Sequence, residues 1–565
     1  MTRMNVLRRI VTAAGAVLLA SVTTACRTAP PARAQAQPPA DTNAQTVVAE
    51  IALQKGDCRS AADTYAAAAS QGPATLARRA TEVSFACENM PAAWQSAGRW
   101  RTLAPADKDA AVMYGTVALR LYYIQQARTA LQPLLKAPDL KSQRYLVSVV
   151  DLITQESGDA TATFAALDDS LDAKTSSPLV LAAFGQLGIE AYNFNRADKH
   201  LEEALQQDAN SGIALRLQAH LRVLRGDASG AIATARQAMQ VDPSGSTFEL
   251  AEVYTELDHL EEARGELERL RGHSVNPAEI DRRLALLAYE SGDLPEAKHR
   301  FTDLVDRGEA SDAALFYLAD IDARSGDRDA ALGAYRQLSD SSMALAACTR
   351  AAGILFDQGK RGEALELMDS YESQHPENSF DVVLGKAHLL ADHGAAMEGV
   401  ALLTAALDRF PRHPTLQYER AALLERAGHV SDSVKAFEQL LAERPDDPNV
   451  LNALGYTLAD HNLELPRAEG YIRRALVTTP DNPAVLDSLA WVRLRRGDVR
   501  EAVPTLERAY DINRDPDIAA HWGEALWMSG SKPQARQVWA AALARHPDSE
   551  LLKSTLHRLL PPEHP

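Results

Sequence analysis

From Gly292 the segment GDLPEAKHRF crowds Glu296, Lys298 and His299 into four residues. A carboxylate, an ammonium and an imidazole at that spacing are the groups that general acid–base catalysis uses. The same frame returns, however, as GDCRSAADTY from Gly56, GDASGAIATA from Gly226, GDRDAALGAY from Gly326 and GDVREAVPTL from Gly497. Gly, Asp and an Ala five residues after the Gly persist, while the charges between them change each time. What repeats is therefore a turn and a packing position. Glu296, Lys298 and His299 are expected on the solvated side of a helix.

Other reactive patterns fare no better. HExxH, CxxC and GxSxG are absent from the sequence, which removes the usual zinc-protease, redox and nucleophile-elbow signatures. GILFDQGKR at Gly353 approaches a phosphate loop, but it has one residue too many before Gly359, and Arg361 stands where a Ser or Thr would hold magnesium. DPSGS at Asp242 reads as a helix-ending turn. The 15 His residues are scattered, several beside Pro in turns (His375, His413, His546), and read as exposed polar residues rather than metal ligands. The sequence thus predicts no catalytic residue, no metal and no cofactor.

The elements that carry these residues follow from the repeat. Aligned on the small residue after each turn, the anchors are Ala61, Ala93, Ala127, Thr163, Ala197, Ala231, Ala263, Ala297, Ala331, Ala364, Gly399, Ser433, Ala468, Ala502 and Ala535. Fifteen anchors with a spacing near 34 residues, each between two helix-period patterns, predict an all-α stack of helical hairpins over residues 46–560. The signal is weakest around Lys141–Asp172, where Thr163 replaces Ala. These residues resemble the tetratricopeptide repeat. The last unit supplies Trp522, Gly523, Leu526, Ala535, Trp539, Ala542 and Pro547, and an earlier one Leu454, Gly455, Leu458, Ala468, Ile472, Ala475 and Pro480. The resemblance implies an α-solenoid in the form of a right-handed superhelix, with an inner surface lined by the first helix of each unit. Such an array is expected to twist and open without breaking a core.

Composition agrees with that reading. Hydrophobic residues make up 46% and aromatics only 6%, and the formal net charge is −17. Abundant Ala favours helices in close contact. An acidic chain has no basic surplus with which to neutralise phosphates, so nucleic acid is not an expected partner.

Residues 1–25 have a basic start (Arg3, Arg8, Arg9) and the apolar run Ile10–Ala20, too short to span a bilayer stably; they read as an export signal. Cys26 directly after Ala25 resembles a bacterial lipoprotein cleavage site, although Thr23 stands where that pattern has Leu, Val or Ile. The alternative is an ordinary signal-peptidase cut nearby, for instance after Ala34. Lipidation at Cys26, followed by Arg27 rather than Asp, implies an anchor on the periplasmic side of the outer membrane, with the lipid as the only membrane contact. Residues 26–45, rich in Pro, Ala and Gln, are expected to be a flexible linker of roughly 20 residues reaching ~50 Å. Cys58 and Cys87 lie near equivalent turns, and in an oxidising compartment they are either a disulfide or two free thiols. Cys348, among small residues, reads as a packing residue.

Four of the six Trp residues fall within 491–539. Trp522 and Trp539 take core places. Trp491 and Trp527 fall at places that face the inner groove, with Tyr418, Tyr456, Asn452, Asp487, Arg495 and Glu524 nearby. Either these residues anchor a bound protein, or they pack the helix of the adjoining unit. The Lys, Asn and Arg set of carboxylate-clamp repeats is not found. The run LNALGYTLAD…LDSLAWVRLRRGD…PDIAAHWGEALWMSG is similar to proteobacterial outer-membrane tetratricopeptide lipoproteins that serve a periplasmic carboxyl-terminal processing protease. That resemblance implies a non-enzymatic adaptor that binds and activates the protease and presents peptidoglycan hydrolase substrates. The alternative is an assembly scaffold for an outer-membrane barrel, an exopolysaccharide-export or a pilus machine.

Overall fold

The computed structural model describes residues 42–136, 140–172, 174–272, 276–309, 311–547 and 549–560, without the side chains of 140–142. The expected signal peptide 1–25, Cys26 with its lipidation, and the linker as far as residue 41 lie outside the described residues. The described residues form 31 α-helices and no strand. The first helix, Thr42–Gln54, takes in residues 42–45, which the sequence reading had placed in the linker. Its later turns bury Ala49 and pack Ala52 and Leu53 on the next helix, and this fixes the polar first turn as well.

The recurring Gly-Asp has a specific mechanical role. Gly56, Gly226, Gly292 and Gly326 hold φ of 74, 75, 81 and 92° and end one helix in the left-handed conformation that only Gly adopts without strain. Asp57, Asp227, Asp293 and Asp327 then cap the next helix, each carboxylate accepting from the backbone N–H three residues on. That satisfies donors a helix start would otherwise leave orphaned. Two helices are thus joined by one sharp corner.

The anchor five residues after the Gly sits where the two helices cross. Every Ala anchor, together with Thr163 and Ser433, is 0% exposed. At Gly399 an added Cβ would lie 2.8 Å from the Ala387 carbonyl oxygen. A larger side chain at these places would push the helices apart. In the opening segment Ala297 and Phe301 are buried, whereas Lys298 and His299 are exposed. Glu296, half covered, accepts from Arg300 at 2.7 Å, and Lys298 reaches Asp322 at 2.5 Å.

The chain forms two compact units. The first holds the residues up to Pro133, together with Asp151–Asp159 and Ala405–Pro414. Its core is small-residue packing around Tyr65 and Trp100. Cys58 and Cys87 are joined in a disulfide with Cα atoms 5.4 Å apart, the first of the two sequence alternatives. His413, expected to be exposed, is instead buried and meets Glu88 at 3.1 Å, while Arg120 meets the same carboxylate at 2.7 Å. The burial of Glu88 opposes ionisation, but Arg120 and His413 outweigh it and lower its pKa to about 2.

The second unit holds Leu134–Val150, Ala160–Thr404 and Thr415–Pro565. Its C-terminal repeats share one apolar core that runs unbroken from Ala421 to Leu552. Cys348 is buried and unbonded, and burial pushes its thiol up to about 11.

Candidate functional site

The candidate residues stand on first helices of successive repeats: Pro414–Arg426, Pro448–Asp460, Pro483–Arg495 and Pro516–Met528. Pro448, Pro483 and Pro516 open their helices at the position that needs no N–H, and Asp447, Asn482 and Asp515 cap them with side-chain oxygens. One period places Tyr418, Asn452 and Asp487 at the same station of three consecutive helices, and His521 stands one residue past that station on the fourth. His521 was not singled out by sequence reasoning, yet it is the hub of the cluster.

Trp491 follows the second of the two sequence alternatives, packing the helices of adjoining repeats. It is 5% exposed and therefore not a free groove aromatic. Its ring stacks on His521 at 4.1 Å and 23°, and its Nε1–H donates to Asp460 Oδ1 at 3.1 Å. Asp487, also buried, lies 2.9 and 3.0 Å from His521 Nδ1. Burial disfavours the imidazolium, but Asp487, with Asp517 and Glu524 behind it, outweighs burial and raises the His521 pKa above its ordinary value. When protonated, the ring lies beneath an indole face, a favourable arrangement for the ring quadrupole. Glu524 is buried as well and takes a two-pronged bond from Arg558, at 2.9 and 2.5 Å. Trp491, Asp487 and Glu524 thus tie one repeat to the next.

The remaining candidates keep accessible surface. Arg495 lies over the Trp491 ring at 5.5 Å and donates to Asn462 Oδ1 at 2.9 Å. Tyr456 is partly exposed, with its ring 6.4 Å from His521. Tyr418 packs edge-on against Phe437 at 5.6 Å, and burial pushes its hydroxyl up to about 12. Asn452 is partly exposed, but its Oδ1 is buried and has no hydrogen-bond partner. Trp527 is partly exposed too, 5.9 Å from Trp539, with Lys532 Nζ 4.7 Å above its ring.

Glu425, Asp460 and His461 each offer a ligand atom within 4.8 Å of the others, a set whose chemistry would suit a divalent cation. These donors already serve the stack: His461 Nε2 meets Glu425 at 2.7 Å, and Asp460 holds Trp491. Among the described residues the His521 ring hydrogen-bonds Asp487. The arrangement holds repeats in register and leaves an aromatic and cationic fringe.

The family match agrees with the architecture. Residues 282–346, 418–483 and 488–550 match the family described as tetratricopeptide repeat. Over 254 residues the chain is 28% identical to a TPR repeat-containing protein of Pseudomonas aeruginosa, covering 45% of this chain and 43% of that one. Over 265 residues it is 24% identical to cellulose synthase 1 operon protein C of Komagataeibacter xylinus, covering 46% of this chain and 18% of that one. The matches thus span less than half the length of these curated relatives. Similar solved structures include the APC/C hetero-tetramer Cut9–Hcn1, at 15% identity, 92% of this chain, 97% of that chain and a TM-score of 0.31. A thermophilic TPR protein of Thermus thermophilus matches at 20% identity, 32% of this chain, 97% of that chain and a TM-score of 0.29. The described residues form an all-helical array, and three of its segments match the tetratricopeptide repeat.

Proposed function

We propose that this repeat array is a non-enzymatic protein-binding scaffold, and that its partner is a periplasmic carboxyl-terminal processing protease which it activates and supplies with peptidoglycan hydrolases. The observation that carries the scaffold reading is the fringe of Tyr418, Tyr456, Arg495 and Trp527, partly exposed side chains on an unbroken apolar core. Half-covered aromatics and Arg on a rigid support lose little entropy on binding and dominate interface energetics. The partner's identity rests on the export-type N-terminus and on the likeness of LGYTLAD and LDSLAW to the adaptor lipoproteins. Anchoring at Cys26 would hold the scaffold at the outer membrane and raise the local concentration of protease and substrate together.

The test is capture from intact cells by cross-linking, followed by hydrolase levels in a deletion strain. Recovery of a serine protease and a rise in cell-wall hydrolases are expected. Neither occurring would overturn the reading. Arg495→Glu with Trp527→Ala should weaken capture by roughly 30-fold, the loss of about 2 kcal/mol typical of a hot spot, with helicity unchanged.

The likeness to a cellulose synthase operon protein favours a second reading, a scaffold for exopolysaccharide export. The same cross-linking would then recover a membrane β-barrel in place of a soluble protease.

A further inference from the structure

In the glycine corners, such as Gly226, Gly292, Gly326, Gly497 and Gly530, an added Cβ would meet nothing within 4 Å. Those corners face open space, and Gly is there for its backbone alone. Among the described residues seven non-Gly positions hold a left-handed backbone, and three of them are corners with a long-range contact: Glu88 (φ 53°), Tyr192 (φ 52°) and Asp258 (φ 65°). A side chain in that conformation is strained, so something must offset it. Each of the three corners touches a part of the chain about 290 to 330 residues further on.

Two of these contacts lie within the second unit. At the first, the Asp481 N–H donates to the Tyr192 carbonyl at 3.0 Å. The Asp481 carboxylate in turn accepts from the N–H of Phe194 at 2.8 Å, the first residue of helix Phe194–Gln207. Arg508 binds the same carboxylate, and Ile512 packs against the core that holds Phe194 and Leu201. At the second, Asp258 takes Arg514 at 3.0 Å and also pairs with Arg545. Both contacts join a corner to residues roughly eight repeats further along. Sequence-adjacent repeats in a solenoid need no such contacts to be stable. They restrict what neighbour packing alone leaves free.

We infer that Asp481 on Tyr192 and Phe194, together with Arg514 and Arg545 on Asp258, forms a two-point clasp that fastens distant repeats of the second unit to each other. Extension of this part of the array, expected from sequence to be free, then requires both points to let go. The clasp is a gate on the mobility of the repeats that carry the candidate site, whatever partner they bind. In the first unit Glu88 meets His413 across 325 residues in the same manner.

Hydrogen exchange on the full chain tests the inference, because the amides of Phe194 and Asp481 find their acceptors only across the clasp. In the unaltered protein both should be protected relative to the open corner at Gly326. Asp258→Ala, which touches neither amide, should speed their exchange about tenfold by releasing the second point, while Leu489 and Leu454 in the shared core keep their protection. Arg514→Ala with Arg545→Ala, on exposed side chains, should reproduce that effect and replaces Asp258→Ala if the latter loosens the core as well. Exchange at Phe194 and Asp481 as fast as at Gly326 in the unaltered chain would overturn the clasp. So would unchanged protection of both amides when the Asp258 contact is removed.

Discussion

Two stretches of the second unit solve the same stacking problem with different chemistry. Between Ala421 and Leu552 neighbouring repeats merge into one apolar core, in which Trp539, Trp522 and Trp491 fill the seams. Between Ala251 and Ile321 the apolar contacts break into small separate clusters. There the seams are bridged by ions: Arg271 and Arg307 on Asp281 at 2.8 and 2.7 Å, Arg283 on Glu252 at 2.6 Å, and Arg300 on Glu268 at 3.0 Å. An apolar seam resists salt and depends on shape, whereas an ionic seam is screened by salt and depends on charge. One small-residue anchor therefore supports two kinds of stiffness. In the repeats that carry the candidate site a continuous apolar core is joined by ion pairs such as Arg558 on Glu524.

The largest effect should come from removing shape. Trp539 is fully buried over Gly523, where an added Cβ would lie 2.0 Å from its Nε1, and that N–H donates to the Ala520 carbonyl at 3.2 Å. Trp539→Ala should destabilise the C-terminal repeats by about 3–5 kcal/mol, seen as an early, separate transition in urea unfolding followed by circular dichroism. Raised salt should not restore it. Asp281→Ala, in the ionic stretch, should cost less, about 1–3 kcal/mol, because the two Arg side chains it frees can reach water. Its distinguishing mark is salt: the gap between variant and parent should narrow in a salt titration. A gap of constant size would erase the contrast between the two stretches.

The stations of this contrast were partly legible in the sequence. The fold was, because Gly-Asp corners and small anchors are local signals repeated at one spacing. The side chains of the site were legible only by type. Asp487, Trp491 and Glu524 stand on the first helices of their repeats, but their partners His521, Asp460 and Arg558 lie 34, 31 and 34 residues away. Nothing in a local pattern says that a charge is already spent on the next repeat. The period itself was the available clue: an acid and a base about one repeat apart can meet across the seam between units, as Asp487 and His521 do. His413 failed for a related reason. Its partner Glu88 lies 325 residues earlier, and no sequence spacing encodes that meeting.

Titration separates the aromatic site from the first unit by sign. The His521 pKa is raised in the folded chain, so its contribution is complete below the ordinary His range and is lost as pH rises through the folded value. Glu88 is lowered to about 2, so its contribution is present above the ordinary carboxylate range and is lost as pH falls toward that value. Moving from pH 6 to pH 9 should therefore loosen the C-terminal repeats and leave the first unit unchanged. Moving from pH 6 toward pH 3 should loosen the first unit. Asp487→Asn should flatten the alkaline response, because the neutral amide no longer favours the imidazolium. Hydrogen exchange resolved by segment reads both limbs, and a uniform response along the chain would contradict the assignment.

The smallest effect is expected where the sequence first invited a chemical reading. Lys298 meets Asp322 at 2.5 Å, but its side chain is 52% exposed and both ions remain open to water. His299, 69% exposed, faces Asp303 in the same condition. Water and salt screen such pairs, and holding a long side chain in one rotamer offsets much of the remaining attraction. Lys298→Ala and His299→Ala should each change stability by less than about 0.5 kcal/mol. Ala297→Leu, one residue away, should be far more damaging, since Ala297 has no exposed surface and the crossing helices leave no volume for a larger side chain. Thermal unfolding of the three variants side by side makes the comparison direct. If Lys298→Ala matched Ala297→Leu, the charges of the turn would be structural after all, and the anchor would lose its claim as the determinant of the repeat.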